Sequence, residues 1–238
     1  MNQKVLVAVF VYNEGYKFRR MLKCFPNHRY YDVLIVDDGS TDGAPDCLKQ
    51  YNFKIIRNIH NEGLGASIKK AFLYALENKY DIIVIMAGNG KDDPNEIERL
   101  LLPIISGGYD FVQGSRFLKE ESYRNMPVHR FLATKFIHPF IFSILAGKKV
   151  TESTNGFRAF KTSILKDKFI DWKQKWLDGY ELEQYLQFKV VHLGYKRIEV
   201  PVSKIYPSRE RDYTKVKPFS GWWSMIKPLI YLSIGLKH

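Results

Sequence analysis

Short apolar runs alternate with amphipathic segments through the first half of the chain. Residues 5–11, 33–37, 53–56, 81–86 and 110–113 are β-branched or apolar runs of strand length. Ile82 to Met86 is apolar throughout, the pattern of a strand covered on both faces of a parallel sheet. Between these runs, residues 15–24, 42–51, 65–78 and 94–106 carry helical spacing and helix-start signals. Pro94 suits a first helical turn with Asp93 before it as N-cap, and Asp42 likewise precedes a helical stretch. Strand and helix in alternation predict an α/β fold with a mostly parallel, doubly wound sheet and right-handed crossovers.

After Ser115 the pattern changes. Residues 127–146 read as a long helix, 148–156 as a loop and 157–161 as a strand. A second helix is predicted over 178–192, ended by Gly194, and another strand over 197–202. A basic loop, 208–218, leads into an aromatic segment, 221–231. Without a repeat, a low-complexity tract or a linker, the economical expectation is one domain spanning 1–238. Its two functional halves would be 1–115 and 116–238.

Composition narrows the class. At 238 residues, 45% hydrophobic and 15% aromatic, the chain is globular in character. Its formal net charge of +12 suits phosphorylated substrates, nucleic acid or an anionic membrane face, or simply a soluble basic surface. Two cysteines, Cys24 and Cys47, form no disulfide framework. The N-terminal apolar stretch ends in Asn13-Glu14 and reads as a first strand, not a signal peptide. The longest later apolar stretch, 139–146, falls far short of the roughly 20 residues of a spanning helix. An intracellular protein that does not span a membrane is expected.

Four polar segments fall where an open α/β sheet binds ligands. Val11-Tyr12-Asn13-Glu14 closes the first strand. Val36-Asp37-Asp38-Gly39-Ser40 closes the second, where a carboxylate can accept hydrogen bonds from a ribose or base. Asn61-Glu62-Gly63-Leu64-Gly65 opens a helix whose free N–H groups suit an anion. The fourth is the loop Ala87-Gly88-Asn89-Gly90-Lys91-Asp92-Asp93. DDGS alone is more often a turn than a nucleotide site; four such segments in this order are harder to dismiss.

In these motifs the chain resembles an inverting family 2 glycosyltransferase of the dolichyl-phosphate mannose synthase and polyprenyl-phosphate sugar transferase group. The resemblance rests on VYNE, IVDDGSTDG, NEGLGAS and MAGNGKDDP, then QGSRF (113–117), TNGFRAF (154–160) and IEVPVS…YTKVKP, and it spans about 5–218. It implies a glycosyltransferase A fold, a nucleoside-diphosphate sugar donor, and a lipid-phosphate or glycan acceptor entering from the second half. Carried over, Val11, Tyr12, Glu14, Asp38, Gly63 and Gly65 would bind the donor, with Ala87, Gly88 and Asn89 beside it. Arg158 would face a phosphate, and Glu183 matches an acid near the reacting sugar. Arg116, Arg209 and Lys215 would hold phosphate or acceptor. For Arg158, a structural ion pair with Glu152 stays open; for Glu183, a solvated helix face does.

The departure lies at the metal. Relatives present Asp-x-Asp-x-Gln or a similar set to Mg²⁺ or Mn²⁺. Here those positions align with Ala87, Asn89 and Lys91. Alanine cannot ligate, and an ammonium opposes a cation. No cofactor is favoured. Either Lys91 itself neutralises the leaving diphosphate, or Asp92 or Asp93 rescues a divalent site.

Helical spacing of Phe131, Phe136, Ile137, Phe140, Ile141, Ile144 and Leu145 fits a core-facing helix or an element lying in a membrane interface. Trp222, Trp223 and Tyr231 with Lys227 resemble an interfacial belt. With the positive charge, this points to peripheral attachment at an anionic cytoplasmic leaflet. Two alternatives remain at this level: a nucleotidyltransferase, which would need metal-binding acids even more, and a nucleic-acid-binding module. No nucleic-acid partner is expected, since no helix-turn-helix, zinc finger or aromatic RNP pattern is present.

Overall fold

The computed structural model describes residues 3–119, 122–206 and 220–237. Its main sheet has seven strands: β1 (Val5–Val11), β2 (Asp32–Asp37), β3 (Lys54–Arg57), β4 (Ile82–Ala87), β5 (Phe111–Ser115), β7 (Arg158–Lys161) and β8 (Arg197–Pro201). Their order is β3-β2-β1-β4-β7-β5-β8. A two-stranded ribbon pairs β6 (Tyr123–Arg124) with β9 (Lys204–Ile205).

Strands β1 to β4 run parallel, and β8 runs parallel to β5. The exception is β7, antiparallel to both neighbours, with Arg158 opposite Ile85 and Gln113. Because β7 runs the other way, its beginning lies level with the ends of β4 and β5. The loop before it therefore arrives at the same sheet edge as the four polar segments. A run of only four residues carries no signal of direction, and the sequence did not show this reversal. Between β1 and β4 the order reverses from its leftward to its rightward course, which is where open sheets form their ligand crevice.

Alternation on β1 explains the layers. Val5, Val7, Val9 and Val11 face one core with α1 (Gly15–Leu22) and α3 (Ile97–Ile105). Leu6, Ala8 and Phe10 face the other, with α2 (Leu64–Glu77) and α6 (Glu181–His192). Both sets are buried, so the strand reads as continuously apolar.

Segment 42–51 folds as a short 3₁₀ stretch, Ala44–Gln50, not an α-helix. Segment 127–146 is α4 (Val128–Leu132), a π-helical turn (Ala133–Ile137) and α5 (His138–Ala146). The aromatic C-terminal segment forms α7 (Ser220–Ser233), whose Leu229 packs with Phe142 of α5 and Phe188 of α6 in a third apolar cluster. No helix among the described residues is long and apolar enough to cross a membrane.

Candidate active site

A cavity of about 810 Å³ opens at the carboxyl edge of the sheet. It brings together Val11, Tyr12, Glu14, Asp38, Gly63, Ala87, Gly88, Asn89, Lys91, Arg116 and Glu183 from the sequence-derived set. Gly65, Arg158, Asp92 and Asp93 are not in its lining. Arg209 and Lys215 lie outside the described residues.

The first two segments lock together. Asn13, in the left-handed region at φ 48°, donates its N–H to Ser40 Oγ (3.0 Å) and accepts from Thr41 N–H at Oδ1 (2.8 Å). Asp38 is held by the turn that follows it in the cavity wall. Its Oδ1 accepts from Asn58 Nδ2 (2.7 Å) and Glu62 N–H (2.9 Å), and its Oδ2 from Asn61 Nδ2 and Gly63 N–H (3.0 Å each). A carboxylate has about four lone-pair sites, so these partners fill it. Asp38 shapes the 61–63 turn while it lines the cavity.

The glycines divide by task. Gly63 adopts φ +103°, a conformation that L side chains rarely take. Gly65 serves packing instead of donor approach: a Cβ there would lie 2.0 Å from the Leu177 carbonyl oxygen. Its absence lets the start of α2 press on segment 177–179.

The 87–93 loop turns on Gly88, whose N–H donates to the Phe10 carbonyl (2.7 Å). Asn89 Oδ1 accepts from the Lys91 backbone N–H (3.2 Å). Lys91 is buried, with its ammonium 5.3 Å from the Tyr206 ring centre. Burial, then the charges of Lys204 and Arg130, bring its pKa down to about 7; Glu14 and Asp92 oppose that shift.

Both fallback acids already have partners within the protein. Asp92 is wholly buried and receives Lys204 Nζ at 2.5 Å. Asp93 caps the turn after it, accepting from Asn95 N–H at 3.0 Å. Among the described residues no group of three or more His, Cys, Asp or Glu could hold a metal ion. The donor set consists of an alanine, an engaged amide and an ammonium, with a second ammonium on the remaining buried acid. The three positions where relatives hold a metal thus offer no acidic ligand.

The far wall is a buried polar network. Arg116 donates Nε to Glu152 Oε2 (2.8 Å), Nη1 to Tyr206 Oη (2.9 Å), and Nη2 to Glu152 Oε1 (3.3 Å) and Thr154 Oγ1 (3.2 Å). The partner of Glu152 is thus Arg116 and not Arg158, the pairing that the sequence left open. Four of the five guanidinium N–H groups are engaged, so Arg116 holds segment 152–155 more than it reaches for a ligand. Arg158 lies behind the cavity wall, donating to the carbonyls of Glu183 (3.0 Å) and Asn155 (2.8 Å). Its guanidinium stands 3.9 Å from Glu183 Oε1, so it positions that acid instead of meeting a phosphate.

Glu183 itself is partly exposed to the cavity, unlike an acid on a solvated helix face. Burial raises its pKa above the usual carboxylate range, against the pull of Arg158 and Lys204. Sequence reasoning missed Arg130, Tyr180, Lys204 and Tyr206, which also line the cavity. Lys204 and Tyr206 could have been noticed after a strand on the ligand side. One lysine among 37 basic residues, however, gives no signal of its own.

Comparison with known proteins fits this geometry. The model of the family described as Glycosyl transferase family 2 matches residues 6–169. An uncharacterized protein of Methanocaldococcus jannaschii is 30% identical over 230 residues, 96% of this chain and 93% of its own length. A UDP-N-acetylglucosamine–dolichyl-phosphate N-acetylglucosaminyltransferase of Methanococcus voltae is 30% identical, over 68% of this chain and 71% of its own. A polyprenol monophosphomannose synthase of Mycolicibacterium smegmatis is 27% identical, over 90% and 81%. In fold, the chain superposes on glucosyl-3-phosphoglycerate synthase from Mycobacterium tuberculosis, solved with Mn²⁺, UDP and phosphoglyceric acid. The TM-score is 0.70 at 15% identity, covering 100% of this chain and 80% of that one. Sheet order, crevice and family match converge: the chain belongs to glycosyl transferase family 2 and is a glycosyltransferase with the glycosyltransferase A fold.

Proposed function

We propose that this enzyme transfers a sugar, with inversion, from a nucleoside-diphosphate sugar to the phosphate of a polyprenyl-type lipid. The carrying observation is the cavity itself. Its near wall holds the strand-end segments with Tyr12, Glu14 and Lys91, and its far wall holds Glu183 and the basic residues Arg116, Arg130 and Lys204. Such a cleft accommodates a donor diphosphate and a second anion together. The relatives named for dolichyl-phosphate and polyprenol-phosphate chemistry support the acceptor class.

In the transfer, an acceptor phosphate oxygen forms the new bond to the anomeric carbon. The bond from that carbon to the donor diphosphate breaks, and its electron pair leaves with the nucleoside diphosphate. One negative charge moves from acceptor to leaving group, and no proton need be removed, because the phosphate is already ionised near neutral pH. Fixed positive charge where negative charge develops lowers such a barrier. Lys91 is suited to that task, and catalysis is expected to depend weakly or not at all on divalent metal. Family membership sets aside the nucleotidyltransferase and the nucleic-acid-binding module.

The test is incubation of the purified protein with UDP- and GDP-sugars and a short polyprenyl phosphate. A glycolipid extractable into organic solvent should form in EDTA. Release of free sugar alone, or no turnover with any donor, would sink the lipid-phosphate reading. Complete loss in EDTA with recovery in Mn²⁺ would sink the assignment of charge to Lys91.

A further inference from the structure

Lys204 stands on β9, opposite the loop in which relatives hold a metal. Its backbone N–H donates to the Ser122 carbonyl (2.6 Å), and the next residue, Ile205, donates to the Lys91 carbonyl (3.1 Å). The ribbon is thus fastened to the 87–93 loop. The ammonium donates to Asp92 Oδ1 (2.5 Å) and Asn155 Oδ1 (3.0 Å). Both side chains of the ion pair are buried, Asp92 fully and Lys204 with 9% exposed.

An ammonium carries three N–H groups. Two are engaged as above, and among the described residues the third has no partner. Lys204 lines the cavity in which a diphosphate would lie. Asp92 Oδ2 is buried with no hydrogen-bond partner among the described residues. The acid is held wholly out of water by one lysine, an arrangement that costs several kcal/mol unless something offsets it. A pair kept only for structure would be replaceable by apolar side chains; a pair that fixes one cation at a ligand's edge would not.

We infer that Lys204, anchored by Asp92 and Asn155, is a diphosphate-contacting residue, and that its ammonium joins Lys91 in receiving the leaving nucleoside diphosphate where relatives use a divalent ion. Asp92, an acid of the metal loop, thereby holds an ammonium instead of a metal. Asp92 offsets part of the Lys204 charge, so Lys91 and Lys204 do not stand as two uncompensated ammonium groups. This rests on the proposed function, because it assumes a nucleoside-diphosphate donor.

The test separates phosphate contact from structural support. UDP, GDP, CDP and ADP, each beside its own nucleoside, are titrated in EDTA into the wild type and Lys204→Met, with nucleosides followed by ligand-observed NMR. The wild type should bind one diphosphate more tightly than its nucleoside. Lys204→Met should weaken that diphosphate tenfold or more and leave the nucleoside unchanged. Should Lys204→Met fail to fold with Asp92 left unpaired, Asp92→Asn/Lys204→Met removes both charges and is read in the same way. Equal weakening of nucleoside and diphosphate, or none, overturns the inference and leaves the proposed function standing. Diphosphate binding that requires Mn²⁺ in the wild type overturns it too. A wild type that binds no diphosphate with or without Mn²⁺ overturns both.

Discussion

A buried lysine with a pKa near 7 behaves differently from one in water. In the free protein, Lys91 loses its charge as pH rises through about 7, and the neutral amine no longer attracts an anion. Donor affinity should therefore be full below that pH and fall above it, at most tenfold per unit. Lys91→Ala should bind the donor more weakly and flatten this slope; calorimetry from pH 6 to 9 measures both. A slope that survives in Lys91→Ala would assign the titration elsewhere. Glu183 tests the acceptor. General-base catalysis typically contributes 10²–10⁴-fold, so Glu183→Gln would cost that much if a hydroxyl had to lose its proton. A phosphate acceptor has no such proton, and the expected loss in kcat is below roughly tenfold. Any activity that needs the carboxylate should fall on acidification at a pH above the usual carboxylate range, since the Glu183 pKa is raised. Glu183→Gln should lack that acidic limb.

Among the elements, the loop before β7 carries the most concentrated polar packing. Glu152 Oε1 also accepts from the backbone N–H groups of Thr154 (2.9 Å) and Asn155 (3.1 Å), and Gln184 and Gln187 of α6 donate to the carbonyls of Ser153 and Glu152 (2.9 Å each). Breaking a buried ion pair by neutralising one partner costs about 3–5 kcal/mol. Glu152→Gln should lower unfolding stability by roughly that amount, read from chemical denaturation, with donor affinity in the folded fraction affected less. What was legible in the sequence follows from the same contrast. The four segments ending β1, β2 and β4 and opening α2 announce themselves through local turn chemistry. Each strand-end motif was therefore readable where it stood. The partnership of Arg116 with Glu152 spans 36 residues, and that of Lys204 with Asp92 spans 112. Only the antiparallel insertion of β7 and the approach of β9 create these pairs. No local pattern encodes them, so Arg158 was given a phosphate and Lys204 none.

At the scale of the whole molecule, a stripe of large apolar side chains stands exposed along α4, the π-helical turn and α5. Val128, Leu132, Phe136, Phe140 and Ile144 recur every fourth residue and are all exposed, Val128 at 74% and Phe140 at 67%. A spacing of four drifts around a helix of 3.6 residues per turn. The π-helical turn at Ala133–Ile137 takes more residues per turn, which offsets the drift and keeps the stripe on one side. Helical spacing alone could not decide between core and interface, because the opposite face is also apolar: Phe142 and Ala146 are buried against α6 and α7. The groove beside the stripe is flanked by Lys135 and Lys149, in a chain of net charge +12. Apolar side chains ringed by lysines suit an anionic lipid surface, where each basic residue contributes about 1 kcal/mol. The protein should co-float with anionic vesicles at low salt and be released as the Debye length falls below about 10 Å. Phe136→Asp/Phe140→Asp should abolish flotation while leaving nucleoside-diphosphate affinity intact, since neither residue lines the donor cavity. Turnover with a long-chain polyprenyl phosphate in vesicles should then fall far more than turnover with a short, soluble one. Equal loss on both acceptors would mean that the stripe supports the fold and not the lipid encounter.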